Sequence, residues 1–536
     1  MKKLIYITAF ATVMVAGFSS CKKSAFDINR NPNQATDSTV SYDVILSAAQ
    51  AGTGGLMATP WGFLQNWMGY WARSGTYAPN VIEETYQITT TFGTGIWNGA
   101  FNNLYDYQIM QLKAREAGAV FYEGIARIMK AHNFQILVDV YGNVPYFEAL
   151  KGNANPTPKY DNGADIYKDL LRQLDTAITL IKSPGNSEVL NIGIRTNDII
   201  FGEKVTGSID AQKTRWVKFA NTLKLRLLVH LMNGGILSAQ STAAGFDITG
   251  EIAKITTEGS GYLAAGENVL VNPGYQTDKP NPFYTTYKNT VTGTPTANNI
   301  YYRANEWGID YYSFNADPRR SRFYVASPNG YIGVKYGLPP VTDNAAEELA
   351  AIGPALGSSA TAAQPIMTAS ESLFLQAEAK QRGFNASASS AAVLLNNAIQ
   401  ENFTFVGAGD ASSYIAGNAT YPDVDITAMP LGAGLPGGGL FTIISQKWFG
   451  LNGLNTLEVW TDWRRVHYSA NVPTFVYGTA VGYDPGPPLS VSPQSTATRI
   501  PVRLLYPQTE YNYNAPNVGS QGSINQFNNR IFWDIQ

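Results

Sequence analysis

With 536 residues, a formal charge of −2 at neutral pH and 15% charged residues, the chain is long enough for a large buried core. It lacks the basic excess that a nucleic-acid binder needs, so no nucleic-acid partner is expected. Cys21 is the only cysteine, which excludes an intrachain disulfide, while 31 Tyr and 10 Trp supply flat apolar rings with a polar handle, suited to binding surfaces as well as cores.

The N-terminus reads as an export signal. Lys2 and Lys3 precede an apolar run from Leu4 to Phe18, shorter than the roughly 20 residues that span a bilayer. Ser19 and Ser20 stand directly before Cys21, the arrangement of a lipoprotein signal in which the cysteine becomes an acylated N-terminus. Acyl chains stabilise membrane attachment by about 0.8 kcal/mol per buried CH₂, so two or three anchor a protein without spanning the bilayer. The expected organisation is a signal peptide over 1–20, a lipidated tether over 21–40 and one domain over 41–536.

Helical patterns dominate that domain. Leu64, Trp67, Met68 and Trp71 fall on one helical face, and so do Phe121, Ile125, Ile128, His132 and Ile136, with a stop from Tyr141 to Pro145. Leu170, Leu174, Ala177, Ile178 and Ile181 make a third stripe, ended by Pro184-Gly185. Trp216, Ala220, Leu223, Leu227 and Leu231 make a fourth, ended by Gly234-Gly235. Thr368 and Glu371 have capping-box spacing for a helix through about Arg382, and Ala391, Leu394, Leu395, Ala398 and Ile399 follow. Polar segments near 183–212, 241–365, 404–440 and 470–500 interrupt this pattern. The expected fold is mainly all-α, an irregular tetratricopeptide-like scaffold of helical hairpins whose long insertions form a second, irregular lobe.

Catalytic signatures are sparse. His132, His230 and His467 are far apart without metal-ligand spacing, and His132 lies on an apolar stripe, so it reads as a core histidine. Asp27, Asn29 and Asn31 open like a calcium loop, but Pro32 and Ser38 occupy positions where an EF-hand needs Gly and Glu. Gly432, Gly434 and Gly437 match a dinucleotide pattern as text but follow no strand. Glu371 reads as the capping-box acid and Glu378 as the partner of an Arg. Glu458, Asp462 and Arg465 share a helical face and read as a structural ion network, and Asp139 and Glu148 read as ties to the Gly142–Pro145 turn. No catalytic residue, metal or cofactor is expected.

Several elements together carry a family resemblance. Phe134, Asp139, Tyr141, Gly142, Asn143, Pro145, Tyr146 and Glu148 form one; Pro158 to Asp161 with Ile166 and Tyr167, and Trp216 to Arg226, form others. Ser370 to Glu378, Trp463 to Arg465, Tyr506 to Glu510, Asp27 to Asn33 and Asp317 to Arg319 complete the set. Dispersed over essentially the whole mature chain, they together resemble the SusD/RagB lipoproteins, particularly the SusD-like branch. The resemblance implies an all-α fold and a place at the outer-membrane surface, capping a SusC-like TonB-dependent transporter. It also implies capture of oligosaccharides, or in some members peptides, rather than catalysis.

A sugar binder wants aromatic planes with amides or charges at their rim. Tyr77, Asn80, Tyr86, Trp97 and Asn98 lie in a polar, Gly/Thr-rich stretch with no evident helical stripe to absorb them. Tyr284, Tyr301, Tyr302, Arg303 and Trp307 lie in a second, among further tyrosines. The resemblance points to regions like these two as the ligand face but transfers no single residue; within them Trp97 and Trp307 are expected as stacking platforms. The competing readings are an envelope scaffold without a small ligand and a surface glycoside hydrolase.

Overall fold

The computed structural model describes residues 40–183, 193–232, 245–272, 274–417, 424–426, 439–466 and 487–534. Cys21, His467, the Asp27–Asn33 segment and the Gly432–Gly437 loop lie outside the described residues, as do the glycine and proline stops near 184 and 234.

Helix α1 (Tyr42–Ala58) is followed by the short α2 (Gly62–Trp67) and strand β1 (Trp71–Arg73). Trp71 was expected on the helical stripe of Leu64, Trp67 and Met68, but it belongs to the strand. Gly69 adopts φ +78°, which ends the helix and turns the chain, and a Cβ there would fall 2.5 Å from the Trp307 ring. Next come α3 (Thr94–Ala117), α4 (Val120–Tyr141), β2 (Val144–Pro145), β3 (Tyr160–Asp161), α5 (Gly163–Lys182), α6 (Ile209–His230) and α7 (Ile248–Glu258). The irregular stretch that follows holds β4 (Val269–Val271), β5 (Tyr302–Ala304), α8 (Glu306–Phe314), β6 (Tyr324–Val325), β7 (Ala351–Ile352) and β8 (Gln364–Met367). Helices α9 (Ala369–Gln381), α10 (Ala391–Val406), α11 (Gly439–Leu451) and α12 (Thr456–Arg465) resume the scaffold.

The helices pack as consecutive neighbours: α3 on α4, α4 on α5, α5 on α6, then α9 on α10 and α11, and α11 on α12. Caps set their starts. Asn162 accepts from Ala164 N at 2.9 Å to begin α5, Ser208 from Ala211 N at 3.2 Å to begin α6, and Thr368 from Glu371 N at 3.2 Å to begin α9. The α5 stripe of Leu170, Leu174, Ala177, Ile178 and Ile181 is buried as its spacing predicts. Gly124 lets α4 approach it: a Cβ there would meet Ile181 at 2.7 Å and the Ala177 carbonyl at 3.1 Å. Among the described residues the strands all lie in two-stranded antiparallel pairs, β1 with β5, β2 with β3, β4 with β8 and β6 with β7. The β1–β5 pair ties the irregular stretch to the chain that follows α2, and Tyr42–Gln536 forms one compact unit. Among the described residues no helix is long and apolar enough to cross a membrane.

Buried charge joins α4, α6, α9, α11 and α12. His230 on α6 lies 3.0 Å from Glu458 and 3.3 Å from Asp139, and Arg226 pairs with Glu371 and, at 3.5 Å, with Glu458. Lys447 reaches Asp462 at 3.0 Å and Glu458 at 3.7 Å. Arg465 then bridges Asp462 at 2.7 Å to Glu378 at 2.5 Å, which also takes Arg382 at 2.8 Å. The Glu458, Asp462, Arg465 face and the Glu378–Arg pairing are therefore as the sequence implies. Glu371 is not. Its amide is capped by Thr368, but its carboxylate turns to Arg226 and to Asn455 at 3.0 Å, because a buried guanidinium needs an anion more than a helix start needs a second cap. Asp139 also does other work than tying the turn, accepting from Tyr167 and from Trp533 Nε1 at 3.0 Å. The turn is held by Asp161, which accepts from the Tyr146 and Phe147 amides at 2.9 and 2.8 Å.

Burial by itself lowers the His230 pKa, but Glu458 and Asp139 outweigh it and hold the imidazolium at about 9. His132, by contrast, is lowered to about 4 by burial and by Arg226, and sits neutral in the core. Because the folded His230 pKa exceeds the unfolded value of 6.5, its stabilisation is complete below pH 6.5 and is lost as pH rises through about 9. In urea unfolding, the stability of wild type relative to His230→Gln should therefore fall between pH 6.5 and 9, by on the order of 3 kcal/mol, with the buried Lys130 and Lys288, both lowered to about 8, acting alike in the two proteins. His230→Gln should be less stable than wild type at pH 6.5 and approach it by pH 9. A stability difference between the two proteins that stays constant across that window would contradict a charged His230.

Candidate functional site

The pairing of β1 with β5 brings the two aromatic segments together. Its register sets Trp71 against Ala304, Ala72 against Arg303 and Arg73 against Tyr302. Past the strand ends, the Ser74 amide donates to the Tyr301 carbonyl at 2.8 Å and Ser74 Oγ to the Ile300 carbonyl at 2.9 Å. The Tyr77 and Tyr301 rings then meet edge to face at 5.4 Å, and Tyr77 Oη donates to the Ala297 carbonyl at 3.2 Å. Asn80 is exposed, close to the Tyr301 hydroxyl. Tyr77, Tyr301 and Tyr302 are half-buried, so each keeps part of its surface in solvent. Asn80 also caps the one-turn helix Val81–Glu84, whose Val81 and Ile82 are 41% and 44% exposed.

A charged floor holds this surface. Arg73 pairs with Glu84 at 2.5 Å and donates to the carbonyls of Tyr77 at 2.8 Å and Leu338 at 2.9 Å. Glu83 accepts from Asn66 at 2.6 Å and from Asn80 at 3.2 Å. Burial raises the Glu83 carboxyl to about 7 despite the Asn66 bond, and the Glu84 charge adds to the rise. Arg303 is spent on backbone, donating to the carbonyls of Ala346 at 2.8 Å, Tyr302 at 3.0 Å and Asn299. It stiffens the surface from below.

The remaining sequence candidates lie elsewhere. Tyr284 is half-buried on the short helix Pro282–Tyr287, whose Tyr287 packs on Trp71 and Tyr302. Tyr86 is fully buried at φ +59°, edge-on to Trp67 at 5.7 Å, with its hydroxyl accepting from the Ser490 amide at 2.9 Å. Asn98 is exposed on the first turn of α3. Trp97 is on that same turn and only 5% exposed, enclosed by Tyr141 at 5.0 Å, Tyr160 at 6.2 Å and Tyr506 at 6.1 Å. The expectation that no helical stripe absorbs it is corrected: Ile96, Trp97, Ala100 and Leu104 are the buried stripe of α3. Trp307 is 9% exposed, set edge-on against Trp448 at 5.1 Å and close to Gly69. Neither tryptophan offers an open face. The sequence reading missed Val81 and Ile82, as well as the Arg73, Glu83 and Glu84 floor. The signal available was two acids three and four residues after an Asn that caps them.

Asp139, His230 and Glu458 are the three residues among those described that place metal-type ligand atoms within 4.8 Å of one another. Both imidazole nitrogens face carboxylates, and a protonated ring has no lone pair to give a metal. The group is part of the ion network.

These features belong to a helical-repeat protein carrying an aromatic, amide-edged surface where β1 pairs with the irregular stretch. The profile of the SusD-like family described as "Starch-binding associating with outer membrane" matches residues 32–484, and the chain belongs to that family. Solved structures agree in fold. A chitin-binding SusD homologue from Flavobacterium johnsoniae superposes with a TM-score of 0.68 at 20% identity, covering 91% of this chain and 98% of its own. A SusD homologue from Bacteroides uniformis gives 0.69 at 20% identity, covering 92% and 99%. A SusD-like protein from Bacteroides thetaiotaomicron gives 0.66 at 20%, covering 92% and 99%. No curated protein matches the sequence.

The burial of the two tryptophans has a direct consequence. Trp97→Ala and Trp307→Ala should each lower unfolding stability by about 3–5 kcal/mol, the cost of truncating a large core side chain. Asn98→Ala, on the exposed side of the same α3 turn, should stay within about 0.5 kcal/mol of wild type. Urea denaturation distinguishes the cases, and wild-type stability in both tryptophan variants would contradict their burial.

Proposed function

We propose that the protein is a lipid-anchored receptor at the cell surface, which binds an oligosaccharide, or a peptide, on the face formed by Tyr77, Asn80 and Tyr301. In this reading Cys21 carries the anchor in the outer membrane and a SusC-like TonB-dependent transporter receives the cargo. The observation that carries the reading is the β1–β5 pairing, which turns two distant aromatic segments into one exposed surface. Half-buried tyrosine rings offer apolar faces to the C–H side of a sugar, and the Asn80 amide meets hydroxyls at its edge. Val81 and Ile82 extend the apolar part of the surface. Family membership supports the same reading.

The function is binding without turnover. A glycosidase places two carboxylates on either side of the scissile bond. Glu83 and Glu84 are instead buried beneath the face and already engaged by Asn66, Asn80 and Arg73. The chitin-binding neighbour and the family description make chito- and malto-oligosaccharides the first ligands to try, with peptides as the alternative cargo.

Calorimetry on the detergent-solubilised protein tests this. Tyr77→Ala and Tyr301→Ala should each weaken binding of the recognised oligomer roughly tenfold, the scale of one lost ring contact, with little change in melting temperature. Wild-type affinity in both variants would remove the site from this face. Cleavage of the bound oligomer would overturn the non-catalytic reading.

A further inference from the structure

A cavity of about 370 Å³ opens between α3, α4, α5 and the turn after β2, apart from the residues of the aromatic face. Five cations line it: Arg115 from α3, Arg127 and Lys130 from α4, Lys151 from the turn and Arg172 from α5. Two carboxylates answer them. Glu123 accepts from Arg115 and Arg127 at 2.8 Å each, and Asp169 accepts from Arg172 and, at 2.6 Å, from the Tyr146 hydroxyl. The cavity therefore keeps a positive excess.

Lys130 is the informative member. Its Nζ is met by two amide oxygens, Gln111 Oε1 at 2.9 Å and Gln108 Oε1, and, among the described residues, by no carboxylate. An ammonium has three donors, so one remains after these two bonds. Burial, together with Arg127 and Arg115, lowers its pKa to about 8, more than Asp169 and Glu123 restore. A bound anion relieves that strain directly. The walls are aromatic as well: Phe134 and Tyr146 meet edge to face at 4.5 Å, and the neighbouring Phe147 is 53% exposed. A cation cluster beside an exposed ring matches a ligand with a carboxylate on one edge and an apolar C–H face. The volume suits one sugar unit.

We infer that this cavity is a second binding site, which takes an acidic sugar unit by pairing its carboxylate with Lys130 and setting its ring against Phe147. The inference does not rest on the carbohydrate face, because no residue is shared between the two.

Calorimetry of the full-length, detergent-solubilised protein with galacturonate, and with galactose as the neutral control, tests it. Galacturonate is expected to bind and galactose not. Lys130→Met should weaken galacturonate about tenfold or more, the loss of one charge-assisted contact, while Tyr301→Ala leaves it unchanged. Affinity should fall from pH 7 to 9 as the ammonium loses its proton. If Lys130→Met fails to fold, the exposed Phe147→Ala and Lys151→Ala variants carry the test, each expected to bind several-fold more weakly. Unchanged galacturonate affinity in the folded variants, equal binding of galactose, or no binding at millimolar concentration would each overturn the inference. Loss of neutral-oligosaccharide binding in Tyr301→Ala with galacturonate binding intact would separate the two sites.

Discussion

Five cations, Arg226, His230, Lys447, Arg465 and Arg382, face five carboxylates, Asp139, Glu371, Glu458, Asp462 and Glu378, inside the helical scaffold. Their charges balance only when His230 is protonated, which is the state its two carboxylate neighbours enforce. Buried ion pairs add little net stability over well-packed apolar groups, yet removing one member leaves an uncompensated charge that costs about 3–5 kcal/mol. Such a network therefore acts on register. It tolerates one arrangement of α4, α6, α9, α11 and α12 and penalises sliding among them. Arg464 extends the constraint to the C-terminal segment, donating to the Asp139 carbonyl at 2.6 Å and the Val502 carbonyl at 3.0 Å while lying over Trp460 and Trp533.

The aromatic surface depends on that frame at one remove. α11 supplies Trp448, whose Nε1 donates to the Met68 carbonyl at 3.0 Å and whose carbonyl accepts from Tyr70 at 2.6 Å. These contacts fix the chain just ahead of β1, and β1 fixes β5. The tyrosines at the surface are thus aimed by strand pairing, and the strand is aimed by the helices. Rigid support of this kind suits recognition, since rings already held in place lose little freedom when a ligand arrives.

The helices were legible because their information is local. The 3.6-residue stripes of α4, α5 and α6, and the Thr368 cap of α9, each lie within one element. Where the partner is distant, local pattern misleads. Glu371 has capping-box spacing, but Arg226 lies 145 positions away in sequence and takes its carboxylate. Trp97 begins a helix whose first turn is written in Thr and Gly, and its enclosing ring Tyr506 comes from the far end of the chain. Strand β1 has three residues, all buried, so it shows no alternation, and Trp71 passed for helix. Composition did locate both halves of the aromatic surface. It could not say which rings face solvent, because that depends on Trp448 covering Trp307 and on β5 leaving Tyr301 at the edge.

A crystal structure with a recognised oligosaccharide bound tests the account most directly. Ordered sugar density is expected against the Tyr77 and Tyr301 rings, with a hydroxyl within hydrogen-bonding distance of Asn80. Density for that ligand confined to other surfaces, with Tyr77 and Tyr301 bare, would contradict it.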